Sequence, residues 1–121
     1  RLIPDIVRGI SNKTPITIRN PYSVRPWQFV LEPLSGYISL AENMWNNGKQ
    51  FADSWNFGPD EDDCKPVRWI LEKISSQWNG DLIWKEDVKN NPHEENLLRL
   101  DCNKAKERLG WDSKLELERS I

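Results

Sequence analysis

Leu31, Leu34, Ile38, Ala41 and Trp45 recur at spacings of 3, 4, 3 and 4. Such spacing lines one face of an α-helix with apolar side chains, whereas a strand exposes alternate residues to opposite faces. Pro33 fits the first turn, where a backbone N–H has no intrahelical partner to lose. Asn46, Asn47 and Gly48 end the pattern. A helix with this stripe needs a covering layer. Gly36 interrupts the run at a cost of up to about 1 kcal/mol relative to Ala, which marks a place where something packs close to the backbone.

Two further segments carry the same period. Leu2, Ile3, Ile6, Val7 and Ile10 share a helical face, with Pro4 in the first turn and Ser11 and Asn12 at the end. Val67, Ile70, Leu71, Ile74 and Trp78 follow Pro66 and stop at Asn79 and Gly80. Between the helices lie short runs with strand character: residues 15–18, 27–30, 54–58, 82–86 and 97–101. Asp101 is the expected N-cap of a short helix through Ala105 and Leu109, and Gly110 the expected left-handed C-cap. Residues 115–121 begin one more helical pattern. Helices mixed with short strands predict an α/β or α+β fold. The strands are too few and too short for a full doubly wound sheet.

Charge excludes one class of function. The 17 basic and 19 acidic residues are interspersed and give a net charge of -2. A nucleic-acid binder would show a basic face or stripe. Phosphate contact, if made, is local to one or two arginines. No apolar run is long enough to span a membrane, and no secretory signal is read at the start.

Cys64 and Cys102 stand alone beside a single histidine, His93. A structural zinc site needs about four ligands, so two reduced thiols in a cytoplasmic protein are expected, a disulfide being the lesser alternative. Asp60 to Asp63 lack the alternating ligands and glycine of an EF-hand loop and read as a solvated charge run. Trp45 and Trp78 fall on apolar stripes and are expected in the core. Trp27 and Trp84 remain as tryptophans that could meet a ligand.

Familiar catalytic motifs are missing from the sequence. It has no GxGxxG, no P-loop and no GxSxG elbow. Neither Tyr22 nor Tyr37 has a Lys four residues later. Arg25 is the residue that invites a binding role. It stands in "NPYSVRPWQF", where Pro26 restricts it to extended geometry and Trp27 can exclude water. A guanidinium is a rigid fork that matches phosphate oxygens. A solvated arginine in a turn explains the same residues. His93 and Glu94 lie in a polar loop, and Arg99 alternates with Leu98 and Leu100 in a run expected to be a strand.

Four segments together carry a resemblance. "RLIPDIVRGI", "RNPYSVRPWQFVLEPLSGYISLAE", "WNFGP" and "HEENLLRLDCNKAKERLGW" span nearly the whole chain. In this order they resemble the extended short-chain dehydrogenase/reductase group of NAD-dependent epimerases and dehydratases. Trp27, Gln28 and Glu32-Pro33 in "RPWQFVLEP" resemble the form found in the CDP-glucose 4,6-dehydratase branch. Such enzymes have an N-terminal NAD-binding Rossmann lobe with a Tyr/Lys pair, and a smaller C-terminal lobe that holds the nucleotide sugar. The resemblance implies that residues 1–121 are most of that second lobe, without the Rossmann core. A chain that starts and stops within its elements reads as an excised piece.

Carried over residue by residue, the resemblance gives Arg25 the substrate pyrophosphate. It puts Leu2 beside the nucleotide, and Thr17, Ile18 and Arg19 beside the base, in part through backbone groups. Trp27 flanks the arginine. Pro92-His93-Glu94 stands where many relatives have an arginine; it matches the CDP-glucose branch and departs from the wider pattern, so His93 and Glu94 are candidates on the branch alone. No catalytic, cofactor-binding or metal-binding residue is expected in this chain. The implied parent takes CDP-glucose to CDP-4-keto-6-deoxyglucose, as in deoxysugar and O-antigen lipopolysaccharide biosynthesis. NAD accepts and returns a hydride, and water is lost across C5 and C6. Parents of this kind often dimerise through the other lobe. Two alternatives stay open: a lobe acting on a UDP or dTDP sugar, and a non-catalytic carbohydrate-binding module.

Overall fold

The computed structural model describes residues 1–78, 82–88 and 95–121. Its elements follow the order α1 (Leu2–Asn12), β1 (Ile16–Ile18), β2 (Val24–Pro26), α2 (Leu31–Asn47), β3 (Cys64–Pro66), α3 (Val67–Gln77), β4 (Trp84–Glu86), α4 (Asn103–Leu109) and α5 (Leu117–Ser120). The fold is mixed α/β. Among the described residues the strands form two two-stranded sheets, β1 with β4 and β2 with β3, and no Rossmann core. The chain divides into two compact units. Arg1–Arg25 with Lys65–Leu97 make the first; Pro26–Cys64 with Leu98–Ile121 make the second.

In the first unit, α1 buries Ile6 and Ile10 but leaves Ile3 and Val7 exposed, a narrower face than the sequence predicts. The helix includes Ser11 and Asn12, and Lys13 caps it at φ 52°. The Lys13 and Thr14 N–H groups donate to the Ile10 and Gly9 carbonyls at 3.2 and 2.9 Å, which satisfies the last turn. Gly9 is needed because a Cβ there would lie 2.6 Å from Ile16 Cγ2. β1 runs parallel to β4 with Ile16, Thr17 and Ile18 opposite Trp84, Lys85 and Glu86. Ile16 and Ile18 are buried and Thr17 faces solvent, the alternation expected of a sheet with one covered face. α3 buries Ile70, Leu71 and Ile74 as predicted, while Trp78 is exposed. The predicted stop at Asn79 and Gly80 lies outside the described residues.

In the second unit, Phe57 is the hub. Its ring meets Trp111 edge-on at 5.0 Å and Tyr37 edge-on at 5.5 Å. Ala105 and Trp111 are buried with it, flanked by Leu40, Trp55 and Leu109. α2 approaches this cluster through Gly36 and Glu32, both buried. The apolar stripe is turned outward: Leu31, Leu34, Ile38 and Trp45 are all exposed, Trp45 by 90%. The core positions expected for Trp45 and Trp78 are therefore corrected. A regular stripe shows that a face can be covered by apolar groups, not that this chain covers it.

Other predicted elements shift. The strand expected at residues 27–30 is found at Val24–Pro26. Residues 54–58 have no ladder partner among the described residues, although Phe57, Gly58 and Pro59 are buried. Residues 97–101 form no strand; Leu97 makes an isolated bridge to Val24. Asp101 stands one residue ahead of the N-cap, which is Cys102, and its Oδ1 accepts the Asn103 N–H at 3.0 Å. Gly110 takes the left-handed C-cap at φ 62° as predicted. The acidic run contains a 3-10 turn, Glu61–Asp63, and engages cations: Asp60 pairs with Lys106 and Glu61 with Arg99.

Candidate functional site

The segment from Asn20 to Arg25 is fastened to the start of α3. That helix begins without a side-chain cap. The Ser23 carbonyl accepts the Val67 N–H at 3.0 Å, and the Pro21 carbonyl accepts the Arg68 N–H at 2.7 Å. Two N–H groups that an α-helix leaves open at its N-terminus are satisfied in this way. Pro21 and Ser23 are buried by the contact, and Tyr22 between them points outward.

The next residue fixes the chain on the other side. Val24 N–H donates to the Asn96 carbonyl at 2.8 Å, beside the Val24–Leu97 bridge. Arg25 follows, half-buried in β2. Its Nη1 donates to the Val24 carbonyl at 2.9 Å and to the Glu95 carbonyl at 2.8 Å. Charge-assisted bonds of this kind are worth about 1.5–3 kcal/mol each. They hold the guanidinium plane in one orientation, and Pro26 holds the backbone extended. The loop around Arg25 is thus anchored to α3 and to the segment beginning at Glu95. A charge presented from such a mount keeps its direction.

Of the described candidates, Arg25, Leu2, Thr17, Ile18, Arg19 and Trp84 fall in the first unit. Leu2 is half-buried at the start of α1. Thr17 is exposed on β1, and Arg19 just beyond it is exposed as well. Ile18 is buried, so its side chain serves the core. Its carbonyl accepts the Asp87 N–H at 2.8 Å, and Ile16 N–H donates to Ile83 at 3.0 Å. Trp27 belongs to the second unit, half-buried, with its N–H on the Asp63 carbonyl at 3.4 Å. Trp84 is half-buried on β4. His93 and Glu94 lie outside the described residues.

Some of these relations have no local signature. The bonds from Ser23 and Pro21 to α3 and from Arg25 to Glu95 span 44 to 70 positions, and main-chain acceptors leave no trace in side-chain pattern. Gln28 was legible only as part of a motif; its Nε2 donates to the Phe57 carbonyl at 2.9 Å within the second unit. Among the described residues no cluster of His, Cys, Asp or Glu could hold a metal ion, and no helix is long and apolar enough to cross a membrane. Cys64 is half-buried and Cys102 buried, and burial pushes both thiols above their ordinary pKa. Raised values make them poor nucleophiles at neutral pH.

No protein-family model matches the chain. Over all 121 residues it is 48% identical to a CDP-glucose 4,6-dehydratase of Salmonella typhimurium. The match falls in the C-terminal part of that protein, and the chain spans 34% of its length. This identity bears out the resemblance to the CDP-glucose 4,6-dehydratase branch.

Proposed function

We propose that residues 1–121 are the substrate-binding portion of a nucleotide-sugar 4,6-dehydratase whose substrate is CDP-glucose. The observation that carries this reading is the 48% identity over every residue of the chain to a protein of that activity. The mounting of Arg25 supports it. Its guanidinium is the group suited to a pyrophosphate, and two main-chain carbonyls orient it. Leu2 and the start of α1 sit against the nucleotide, Thr17, Ile18 and Arg19 against the base, and Trp27 shields the diphosphate from water. His93 and Glu94, which lie outside the described residues, are carried by the resemblance alone.

The longer parent supplies the NAD-binding lobe and the Tyr/Lys pair, and it carries out the dehydration in the cytoplasm. NAD there provides reversible hydride chemistry. This chain holds and orients the nucleotide, and by itself it is inactive. Binding remote from the reacting carbon still matters for rate, because it positions the sugar and pre-pays orientation entropy.

Amide NMR titrations of the chain with CDP, UDP, dTDP and free glucose in turn test the reading. The expected result is dispersed peaks that shift with CDP at Arg25 and β1, and more weakly with UDP. Shifts that favour UDP or dTDP would assign the lobe to another nucleotide sugar. Shifts with free glucose and none with nucleotides would make it a carbohydrate-binding module.

A further inference from the structure

The small sheet of the first unit brings a distant residue to the candidate site. β1 and β4 run parallel, and their register sets Thr17 opposite Lys85. Opposed residues of a strand pair emerge on the same face, from strands about 4.8 Å apart. Ile16 and Ile18 are buried on the covered face, and Trp84, opposite Ile16, is half-buried there. Thr17 and Lys85 therefore share the other face, and both are exposed. Trp84, the ring on this strand that the sequence offers to a ligand, is turned toward the core side. The side chain presented beside Thr17 is the lysine's. Among the described residues the Lys85 ammonium pairs with no carboxylate. The backbone around the pair is engaged in the sheet: Ile16 N–H donates to the Ile83 carbonyl, and the Ile18 carbonyl accepts the Asp87 N–H. Recognition on this face is left to side chains.

We propose that Lys85 and Thr17 together read the pyrimidine ring of the nucleotide and select cytosine over uracil and thymine. This rests on the reading of Thr17 as a residue beside the base, and extends it to a residue outside the four segments that carry the resemblance.

The selectivity follows from donors and acceptors. An ammonium has three donors and no acceptor, whereas a hydroxyl can do either. Cytosine accepts at O2 and N3 and donates from its N4 amino group. Lys85 donates to O2 and N3 while the Thr17 hydroxyl accepts N4–H, so every polar atom on that edge is met. In uracil and thymine N3 carries a hydrogen, and a carbonyl oxygen replaces the amino group. The hydroxyl turns to donate to that oxygen, but the ammonium cannot accept from N3–H. The mismatch falls on Lys85. A donor facing a donor is a repulsive element of the kind that rejects a wrong ligand. The expected discrimination is about tenfold in affinity, within the range for a side-chain pair that reads a base edge.

Calorimetric titration of the chain with CDP, UDP and inorganic pyrophosphate tests the proposal. Lys85→Met keeps the apolar stem and removes the donors, and Lys85→Arg keeps both charge and donors. The position is exposed, and circular dichroism should show the same fold in all three chains. The unsubstituted chain should bind CDP about tenfold more tightly than UDP. Lys85→Met should lose that preference through weaker CDP binding, with pyrophosphate affinity unchanged, and Lys85→Arg should restore it. If Lys85→Met weakens CDP, UDP and pyrophosphate by one factor, the lysine is a counter-charge for the diphosphate and the proposal fails. It also fails, while the nucleotide reading stands, if the unsubstituted chain binds CDP and UDP equally or if Lys85→Met keeps the preference for CDP. A chain that binds neither CDP nor UDP overturns the nucleotide reading, and this proposal with it.

Discussion

The backbone of Gly36 lies directly against the ring of Phe57: a Cβ on Gly36 would come within 2.3 Å of Phe57 Cδ1 and 2.6 Å of Cε1. Phe57 has nowhere simple to go, since Tyr37 and Trp111 both meet it edge-on. Gly36→Ala therefore gains up to about 1 kcal/mol of helix propensity and loses about 1–3 kcal/mol to overpacking. With the full propensity gain, the expected net effect is destabilisation by up to about 2 kcal/mol, read as a lower urea midpoint with an unchanged slope. A midpoint equal to or above that of the parent chain would show that the ring shifts freely.

Glu32 fastens the C-terminal segment. Its Oε2 accepts the Lys114 N–H at 2.9 Å and its Oε1 the Leu115 N–H at 3.1 Å, on a side chain only 5% exposed. Beside it, Trp111 Nε1 donates to Ser35 Oγ at 2.9 Å, and Leu117 is buried beyond. Glu32→Gln turns one acceptor into a donor facing a partly buried N–H and costs about 1–3 kcal/mol. Trypsin should then cut at Lys114 and Arg119 several-fold faster, while α3 keeps its protection. Equal cleavage rates in both chains would show that Trp111 and Leu117 hold the segment without the carboxylate.

These two contacts explain what the sequence could and could not reveal. Gly36 was legible as a close approach, because a glycine inside a helical pattern needs a reason. Glu32 was not, because a buried carboxylate that accepts two backbone N–H groups resembles any surface acid in the first turn of a helix. Together they reversed the expected orientation of α2, whose apolar stripe dominates its pattern. Residues 54–58 and 97–101 show a related limit. Strand propensity describes a residue's fit to a pleated surface, and these runs lack a ladder partner among the described residues. The arginine between prolines was legible as a stiff position; its carbonyl partner at Glu95 was not.

Lys106 ties two acids together in the second unit. Its Nζ donates to Asp60 Oδ1 at 2.6 Å and to Asp112 Oδ1 at 2.9 Å. The hydrogen bonds from Asp60 and then Asp112 raise the lysine pKa, and the bond from Lys106 lowers that of Asp112. A lowered carboxylate contributes stability above its ordinary value of 3.8 and loses it as pH falls through the folded value. A raised lysine contributes below its ordinary 10.5 and loses it as pH climbs through the folded value. Lys106→Met keeps the apolar stem and removes both bonds. The melting temperatures of the two chains should differ most between these limits and converge only well below pH 3.8 and well above 10.5. The groups are solvent-exposed, so the gap is at most about 1 kcal/mol and shrinks in high salt. A gap independent of pH and salt would mean that Lys106 acts through packing alone.

Arg25 carries both a structural and a proposed ligand role, and two substitutions separate them. Arg25→Lys keeps the positive charge but replaces a planar fork with a point donor. It should retain most of the stability and bind CDP about tenfold more weakly, a loss of ~1.4 kcal/mol. Arg25→Ala removes the donors to Val24 and Glu95 as well. It should lower the melting temperature without ligand, disturb the amide resonances near Glu95, and abolish the CDP-induced rise. Measuring the melting temperature with and without CDP for all three chains distinguishes the roles, because ligand stabilisation depends on affinity for the folded state. If Arg25→Lys melts early yet shows the same CDP-induced rise as the parent chain, the arginine is a brace for the loop and the diphosphate is gripped elsewhere.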